Sequence, residues 1–541
     1  MISLEGKFSG RQIAIIEILL ATVFAILPLL VVFPYRVNVF LSWEGAYRMY
    51  LGHIPYKDFG LPMGFGYWML PSVFFHIFGP SMATLIKTQA FLNFVSVLTF
   101  RSILKNFDIP PGKRLVTLFV LCISYVFFNI WPWYNQTVIV YELIGLSGVL
   151  AFIFKQGQKW RMAYLVSGAF FLFLSFFTKQ DGGGLALMIA IGLMVYNSIY
   201  ERKPQQLLYF LLIYAGFAAL FILPFIPYDF GYWFNYGQPP HYSRISMIDF
   251  INEIFYASQW EKFYLLFIVL LTIGQQSSFM GFLKDRKAMI FFLLTVGIIF
   301  EALIFKVTSY FPANNNIFFH SFAFAYLLAN LNLKTPFEKP LALVAAFSLV
   351  MLWWSSVYWR YGERVLKKAV PGIYERPKED VVSKNTYILD KMEEDSLVSQ
   401  VGNWQEASWP AFKGAKMPEG TIEGIERLLA MPVMQQPIEE LSVLNMSELT
   451  PLAATVPFKL HKGQPLWYHL NVGMFQEQVE DFKEKISAGA YDVVIFEYLP
   501  TLNNFFPFEL RDHLLEEYRK VDEFPAPRTA DKGTVEIYLR K

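Results

Sequence analysis

Residues 11–59 read RQIAIIEILLATVFAILPLLVVFPYRVNVFLSWEGAYRMYLGHIPYKDF, and the change of character midway decides the fold. The first half, roughly 12–34, is about 22 apolar residues interrupted by Glu17, long enough for a helix across about 30 Å of hydrocarbon. It outruns the core of a cleaved signal and no small-residue cleavage site follows. With Lys7 and Arg11 ahead of it, it reads as a retained first span. The second half, Trp43 to Phe59, then sets Glu44, Arg48, Lys57 and Asp58 just outside the membrane. In so hydrophobic a chain, such a cluster implies chemistry or a charged ligand.

Outward from this segment, the 541 residues are 55% hydrophobic and 18% aromatic, with 17% charged against about 25% for a soluble protein. Mean hydropathy is +0.37. Apolar runs recur at roughly 12–34, 81–103, 115–132, 137–154, 162–178, 183–200, 206–227, 263–281, 288–307, 316–333 and 340–358, about eleven spans in all. This is the pattern of a polytopic α-helical membrane protein. With the N-terminus in the cytoplasm, the inner connections hold fifteen lysines and arginines. The outer ones before residue 360 hold six: Arg36, Arg48, Lys57, Lys179, Arg244 and Lys262. The positive-inside rule supports that orientation, and an odd span count puts the C-terminal region outside. The single cysteine, Cys122, lies within a span, so no disulfide is expected. A net charge of +2 points to no particular partner and gives no sign of nucleic-acid binding.

The composition divides the chain into a membrane domain, 1–359, and an extracytoplasmic α/β domain, 360–541. The first outer loop, 35–80, contains a short amphipathic helix at about 43–51. It also contains GFGYWMLPSVFFHIFG, a piece too short to span and better placed in the interface. Residues 228–262 look interfacial as well. In the C-terminal part, YDVVIFEYLP (491–500) is a buried-type strand, a helix follows at about 507–520, and GTVEIYLRK (533–541) is a last strand. That part shows no phosphate loop, metal-ligand spacing or nucleophile elbow.

Ionisable residues within the spans gather toward the outer side: Lys87, Glu142, Glu301, Lys306 and His320, with Glu17 alone toward the inner. Each would cost about 2.5–3.5 kcal/mol facing lipid, so they are expected to face one another across a polar cavity opening outward. Pairwise structural contacts, for instance Lys87 with Glu142, are the plainer alternative. Glu44 follows Ser42 and could merely favour a helix start, and Asp58 could pair with Lys57 or Arg48. The functional reading makes them a general base and a second carboxylate that binds acceptor or cation. In TKQDGGG (178–184), Lys179 and a glycine-rich helix start form a candidate phosphate site, with Gln180 and Asp181 beside it. Asp181 could instead cap that helix. His241 and Arg244 (PPHYSR) and Asn314–Asn316 (FPANNNIFFH) lie in further outer loops, Arg244 as a second candidate phosphate ligand.

Taken together, WEGAYRMYL, IPYKDF, LPMGFGYWML, HIFG and the Lys179-Gln180-Asp181-Gly182 element resemble the polyprenyl-phosphate-sugar-dependent membrane glycosyltransferases of the GT-C fold. The likeness is to relatives of the protein O-mannosyltransferases and the aminoarabinose transferase. It covers residues 1 to about 330 in outline and is dense in motifs from 40 to 105. Many members carry Asp-Glu where this chain has Trp43-Glu44. The resemblance implies an inverting transfer from a lipid-phosphate sugar to a lipid, glycan or protein acceptor in a bacterial plasma membrane. A first-loop carboxylate, here Glu44 with Asp58, would act as base. Arg48, Lys57, Lys179, Gln180, Asp181, Arg244 and His320 are the candidate substrate ligands, and a divalent cation is a possible cofactor. A transporter or flippase should instead show polar groups through the full membrane depth and a two-fold repeat of spans. A non-catalytic polysaccharide-assembly subunit would need neither carboxylate.

Overall fold

The computed structural model describes residues 6–35, 39–60, 63–228, 230, 246–275, 278–309, 318–370, 404–437, 440–456, 458–466, 476–500, 506–528 and 533–541. Helix α1 (Gly10–Ile26) starts at a capping box, in which Ser9 and Gln12 satisfy each other's backbone N–H groups. It continues as a 3-10 turn to Leu30. Long apolar helices follow as α4 (Met82–Asn106), α6 (Tyr134–Phe154), α7 (Arg161–Thr178), α8 (Gln180–Glu201) and α9 (Gln205–Ile222), then Arg286–Ser309. Among the described residues, seven helices are long and apolar enough to span a bilayer. An eighth results if the pair Met247–Phe255 and Gln259–Gln275, bent by 65°, counts as one span.

The other expected spans are shorter helices. Helix α5 (Pro111–Ser124) gives way to a 3-10 turn, Phe319–Asn330 has 12 residues, and Pro340–Trp353 breaks at Trp354 before Ser355–Ala369. Close approach depends on small residues. A Cβ on Gly148 would lie 2.8 Å from the Gly168 backbone, which lets α6 and α7 touch along their length.

At one end of the bundle, the loop after the first span contains α2 (Val39–Tyr50) and α3 (Gly66–Phe78). Helix α3 buries Tyr67, Trp68 and Phe75 and exposes Val73, Ile77 and Phe78, as expected of a helix lying in the interface. The C-terminal part carries a four-stranded sheet in the order β5 (Val443–Met446), β7 (Val493–Tyr498), β9 (Thr534–Arg540) and β8 (Tyr518–Pro525). The helix expected at 507–520 ends at Glu517, and β8 follows directly as an edge strand.

Two short strands, one just before the first loop and one within it, pair with the C-terminal part. Strand β1 (Phe33–Pro34) runs parallel to β4 (Ala415–Pro418), which also pairs with β3 (Trp404–Glu406). Strand β2 (Phe59–Gly60) runs parallel to β6 (Gln464–Pro465). The loop and the C-terminal region therefore share one apolar core, in which Phe40, Trp43, Trp68, Leu444 and Phe496 all take part.

Candidate active site

Helix α2 is buried from Val39 through Arg48. It reaches that depth because Gly45 admits a neighbour: a Cβ there would stand 2.0 Å from the Trp68 indole, whose Nε1–H donates to the Leu41 carbonyl at 2.9 Å. Glu44 and Arg48 are four residues apart and so share a face. Arg48 Nε and Nη2 donate to Glu44 Oε1 at 2.9 and 2.8 Å, which leaves Oε2 without a hydrogen bond among the described residues. Arg48 Nη1 donates to the His461 carbonyl at 2.6 Å, and Arg48 is 1% exposed. Burial pushes the Glu44 carboxyl above its ordinary range, while the Arg48 charge and hydrogen bond pull it down.

The loop after α2 is fixed by an unusual backbone. Tyr56 adopts a left-handed conformation (φ 65°), held by its burial against Phe65, Phe225 and Phe230. Asp58 closes the turn, its Oδ2 accepting from the Ile54 N–H at 2.8 Å and its Oδ1 lying 3.4 Å from Lys462 Nζ. Burial alone would raise its carboxyl, but the Ile54 N–H and Lys462 outweigh it and hold the group below the usual carboxylate range. Beside it, burial, Arg48 and Lys462 lower the His53 imidazole to about 4. Gly463 N–H then donates to the Asp58 carbonyl at 2.7 Å and extends the β2–β6 pairing.

Between α2 and the C-terminal part lies a narrow cleft with about 260 Å³ of empty space, lined by Glu44, Arg48, Asn445, Thr450, His461 and Gln464 together with apolar side chains. It is a carboxylate–guanidinium pair facing neutral hydrogen-bonding groups, a suitable place to take a proton from a polar ligand. His461, Thr450 and Gln464 were not foreseen from the sequence. The stretch 458–466 matches no motif, and it comes to Glu44 through the pairing of Gln464 with Phe59 and the bonds of His461 and Gly463 to Arg48 and Asp58.

The remaining predicted residues fall elsewhere. Lys57 is exposed, with Nζ 5.5 Å from the centre of the Tyr228 ring. Lys179 Nζ bonds both Asp181 oxygens at 2.7 Å and lies over the Phe305 ring. Asp181 also accepts from the adjacent Gly182 N–H at 2.8 Å, but it sits inside the first turn of α8, whose N-cap position is Lys179 and has no side-chain cap hydrogen bond, so it does not cap the helix. Gln180 stands beside them at the α8 start. This set is joined to the Glu44 side through the start of α3, where a Cβ on Gly64 would meet the Phe177 carbonyl and one on Gly66 would meet Thr178 Oγ1.

His320 takes a hydrogen bond between Nδ1 and the Tyr264 hydroxyl at 2.9 Å and stacks on Phe319. Lys306 pairs with Glu253 at 3.3 Å and with Glu261. Glu142 and Glu301 lie buried against each other, with Asp181 acting on Glu301. Lys87 does not join them. It is exposed, with Nζ over the Phe78 ring at 4.5 Å. Glu17 is neutralised by Arg101 and Arg114 at 2.5 and 2.6 Å. The expected single polar cavity is thus several separate sets among the described residues. His241, Arg244 and Asn314–Asn316 lie outside the described residues.

With this geometry in view, the likeness to solved structures decides the architecture. ArnT from Cupriavidus metallidurans aligns over 97% of both chains at 11% identity, with a TM-score of 0.53 for the form bound to undecaprenyl phosphate and 0.54 for the apo form. The chain has the GT-C fold. The Archaeoglobus fulgidus oligosaccharyltransferase, solved with Zn and sulfate, aligns over 89% of this chain and 68% of its own at 13% identity and a TM-score of 0.43. No protein-family model and no curated sequence matches the chain. Where the resemblance leads one to look for an acid ahead of Glu44, this GT-C chain has Trp43. That ring is fully buried, stacked on Tyr47 at 4.5 Å and packed on Phe75.

Proposed function

We propose that the protein is a membrane glycosyltransferase that moves a sugar from a polyprenyl-phosphate donor to an acceptor hydroxyl on the outer face of a bacterial plasma membrane, its N-terminus in the cytoplasm. The observation that carries this reading is Glu44: a buried carboxyl at a cleft, paired with Arg48 through one oxygen while the other accepts no hydrogen bond among the described residues. The undecaprenyl phosphate bound by a protein of the same fold supports the class of donor.

In this reaction Glu44 Oε2 takes the acceptor O–H proton as the acceptor oxygen forms its bond to the sugar's anomeric carbon. The bond from that carbon to the phosphate oxygen breaks, and its electron pair leaves with the polyprenyl phosphate. Attack from the face opposite the leaving group inverts the anomeric centre. Burial raises the Glu44 carboxyl, which makes it a stronger base, while the Arg48 charge and hydrogen bond act in the opposite direction.

Lys179, with Gln180 and Asp181 at the α8 start, receives the donor phosphate and offsets the charge that builds on it. Asp58 holds the loop and Lys462 in place, while Lys57, Arg244 and His320 act along the donor path. Among the described residues, no three histidine, cysteine or acidic side chains converge to hold a metal ion, and the scheme uses none.

The test is purified protein given labelled polyprenyl-phosphate sugar. Glu44→Gln is expected to lower transfer by about 10²–10⁴-fold with donor binding and melting temperature retained. Undiminished transfer in that variant rejects the assignment.

A further inference from the structure

Helix α6 starts at Tyr134, against Tyr67 of α3, so its last residue, Phe154, lies at the end of the bundle away from the Glu44 cleft. That end is organised around one carboxylate. Glu201, the last residue of α8, accepts from Gln156 in the turn between α6 and α7 and from Gln206 at the start of α9, the latter at 2.6 Å. Arg286 Nη2 donates to it at 2.7 Å, and Arg161 Nη2 lies 3.8 Å away. Arg286 also donates to the Ile153 carbonyl at 2.7 Å and Arg161 to the Phe152 carbonyl at 3.0 Å, which satisfies the carbonyl end of α6. Both Glu201 oxygens are thereby committed, and the α6–α7 and α8–α9 turns are tied side by side.

These turns carry four more cations, Lys155 and Lys159 on the first, Arg202 and Lys203 on the second. Lys159, Arg202 and Lys203 are exposed, and none of the four forms a salt bridge among the described residues. Arg202 adopts the left-handed conformation (φ 55°) that ends α8, a position that ordinarily favours glycine. Two further acids at this end are engaged: Asp285 accepts from the Ala288 N–H at 3.0 Å, and Asp108 pairs with Lys287.

The neighbouring side chains separate a lipid from a soluble anion. Trp160, next to Lys159, is 66% exposed, and Met162, Ile199 and Tyr200, each within a turn of these cations, are exposed as well. Exposed apolar groups on a spanning helix face acyl chains, and an indole at their edge marks the headgroup level. A phospholipid covers both surfaces at once, its phosphate on the cations and its chains on the apolar flank, whereas a free anion leaves the flank bare.

We propose that the paired turns bind an anionic phospholipid in the leaflet opposite the Glu44 cleft. Lys159, Arg202 and Lys203 receive its phosphate, and its chains lie along α7 and α8. The positive-inside rule asks only that such connections be basic. It does not ask that two of them be joined through a shared carboxylate with their own cations left unpaired.

The test is native mass spectrometry of the full chain released from detergent micelles containing equal dioleoylphosphatidylglycerol and dioleoylphosphatidylcholine. Wild-type protein is expected to retain phosphatidylglycerol in preference. Lys159→Gln and Lys203→Gln should each lower that retention about fivefold, and Lys159→Arg and Lys203→Arg should preserve it. Melting temperatures in phosphatidylcholine alone should be the same for all five proteins, which separates lost binding from lost folding. Lys334→Gln, which removes an exposed charge from the connection before Pro340–Trp353, should leave retention unchanged. A loss there as large as that of Lys159→Gln would show diffuse attraction and overturn the site. Displacement of the lipid by excess sodium phosphate would make this a soluble-anion site and overturn the lipid assignment. Equal retention of the two lipids by wild type, or undiminished preference in both Lys→Gln variants, overturns it as well.

Discussion

Arg48 donates from Nη1 to the backbone carbonyl of His461 at 2.6 Å, joining two residues 413 positions apart. The same guanidinium holds Glu44 with its other nitrogens. Domain docking and the charge partner of the candidate base therefore both rest on one side chain.

That dependence makes a strong prediction for Arg48→Met. Breaking a buried ion pair by removing one partner costs about 3–5 kcal/mol, because the other charge is left uncompensated. Pairing it with Glu44→Gln should recover much of the loss. Thermal melts of the two single variants and the double variant form the cycle that measures this. Simple additivity would show that the pair is not coupled.

Acid should loosen the same junction. His53 and His461 are each held near 4 by burial and neighbouring cations, below the unfolded value of about 6.5. The unfolded chain takes up these protons first, so their contribution is intact above about pH 6.5 and declines as pH falls toward 4. Asp58, lowered chiefly by the Ile54 N–H and Lys462 against the effect of burial, loses its own contribution in the same direction at still lower pH. Melting temperature against pH is the measurement. His53→Gln with His461→Gln should flatten the curve between pH 6.5 and 4.

Glycine positions give a packing prediction with a built-in control. A Cβ at Gly64 would lie 1.4 Å from the Phe177 carbonyl oxygen, and backbone cannot step aside cheaply. Gly64→Ala should destabilise by at least about 1–3 kcal/mol and lower the yield of monodisperse protein. At Gly192, within α8, a Cβ meets nothing within 4 Å. Gly192→Ala should be neutral or add up to about 1 kcal/mol from helix propensity. Size-exclusion profiles and melts of the two variants decide it.

Restoring an acid at position 43 should not restore anything. Trp43 is an anchor of the aromatic stack with Tyr47 and Phe75, and Trp-to-small changes in cores cost about 3–5 kcal/mol before any buried charge is counted. Trp43→Asp should therefore fail to fold, while Trp43→Phe should retain most stability and transfer. Higher transfer from Trp43→Asp would show that the acid position had been lost without being replaced.

Much of the architecture could be read from residues alone, because the bilayer imposes length and polarity on every crossing. The first span, the interfacial helix with Tyr67 and Trp68, the α8 start at Lys179-Gln180 and the strands around Val494 and Ile537 follow from period and composition. The site was legible on one side only. Glu44 and Arg48 are local in sequence and their spacing is helical, so their pairing on one face could be read directly. His461 and Gln464 come to them through a two-residue parallel pairing. So short a strand leaves no periodic signal, and parallel partners can sit at any distance along the chain. Lys87 shows a different failure: depth along a helix was readable, but which way the side chain faces depends on a neighbour, here Phe78.

Because β1 and β2 pair with residues 415–416 and 464–465 among the described residues, this end of the membrane half waits for the C-terminal part before it can close. At about 5–20 residues per second, synthesis of the intervening stretch takes on the order of 20–80 seconds, and throughout it the Glu44 cleft has a single wall. The transfer proposed above would therefore wait on the docking of residues 464–465, which ties its onset to the arrival of the second wall.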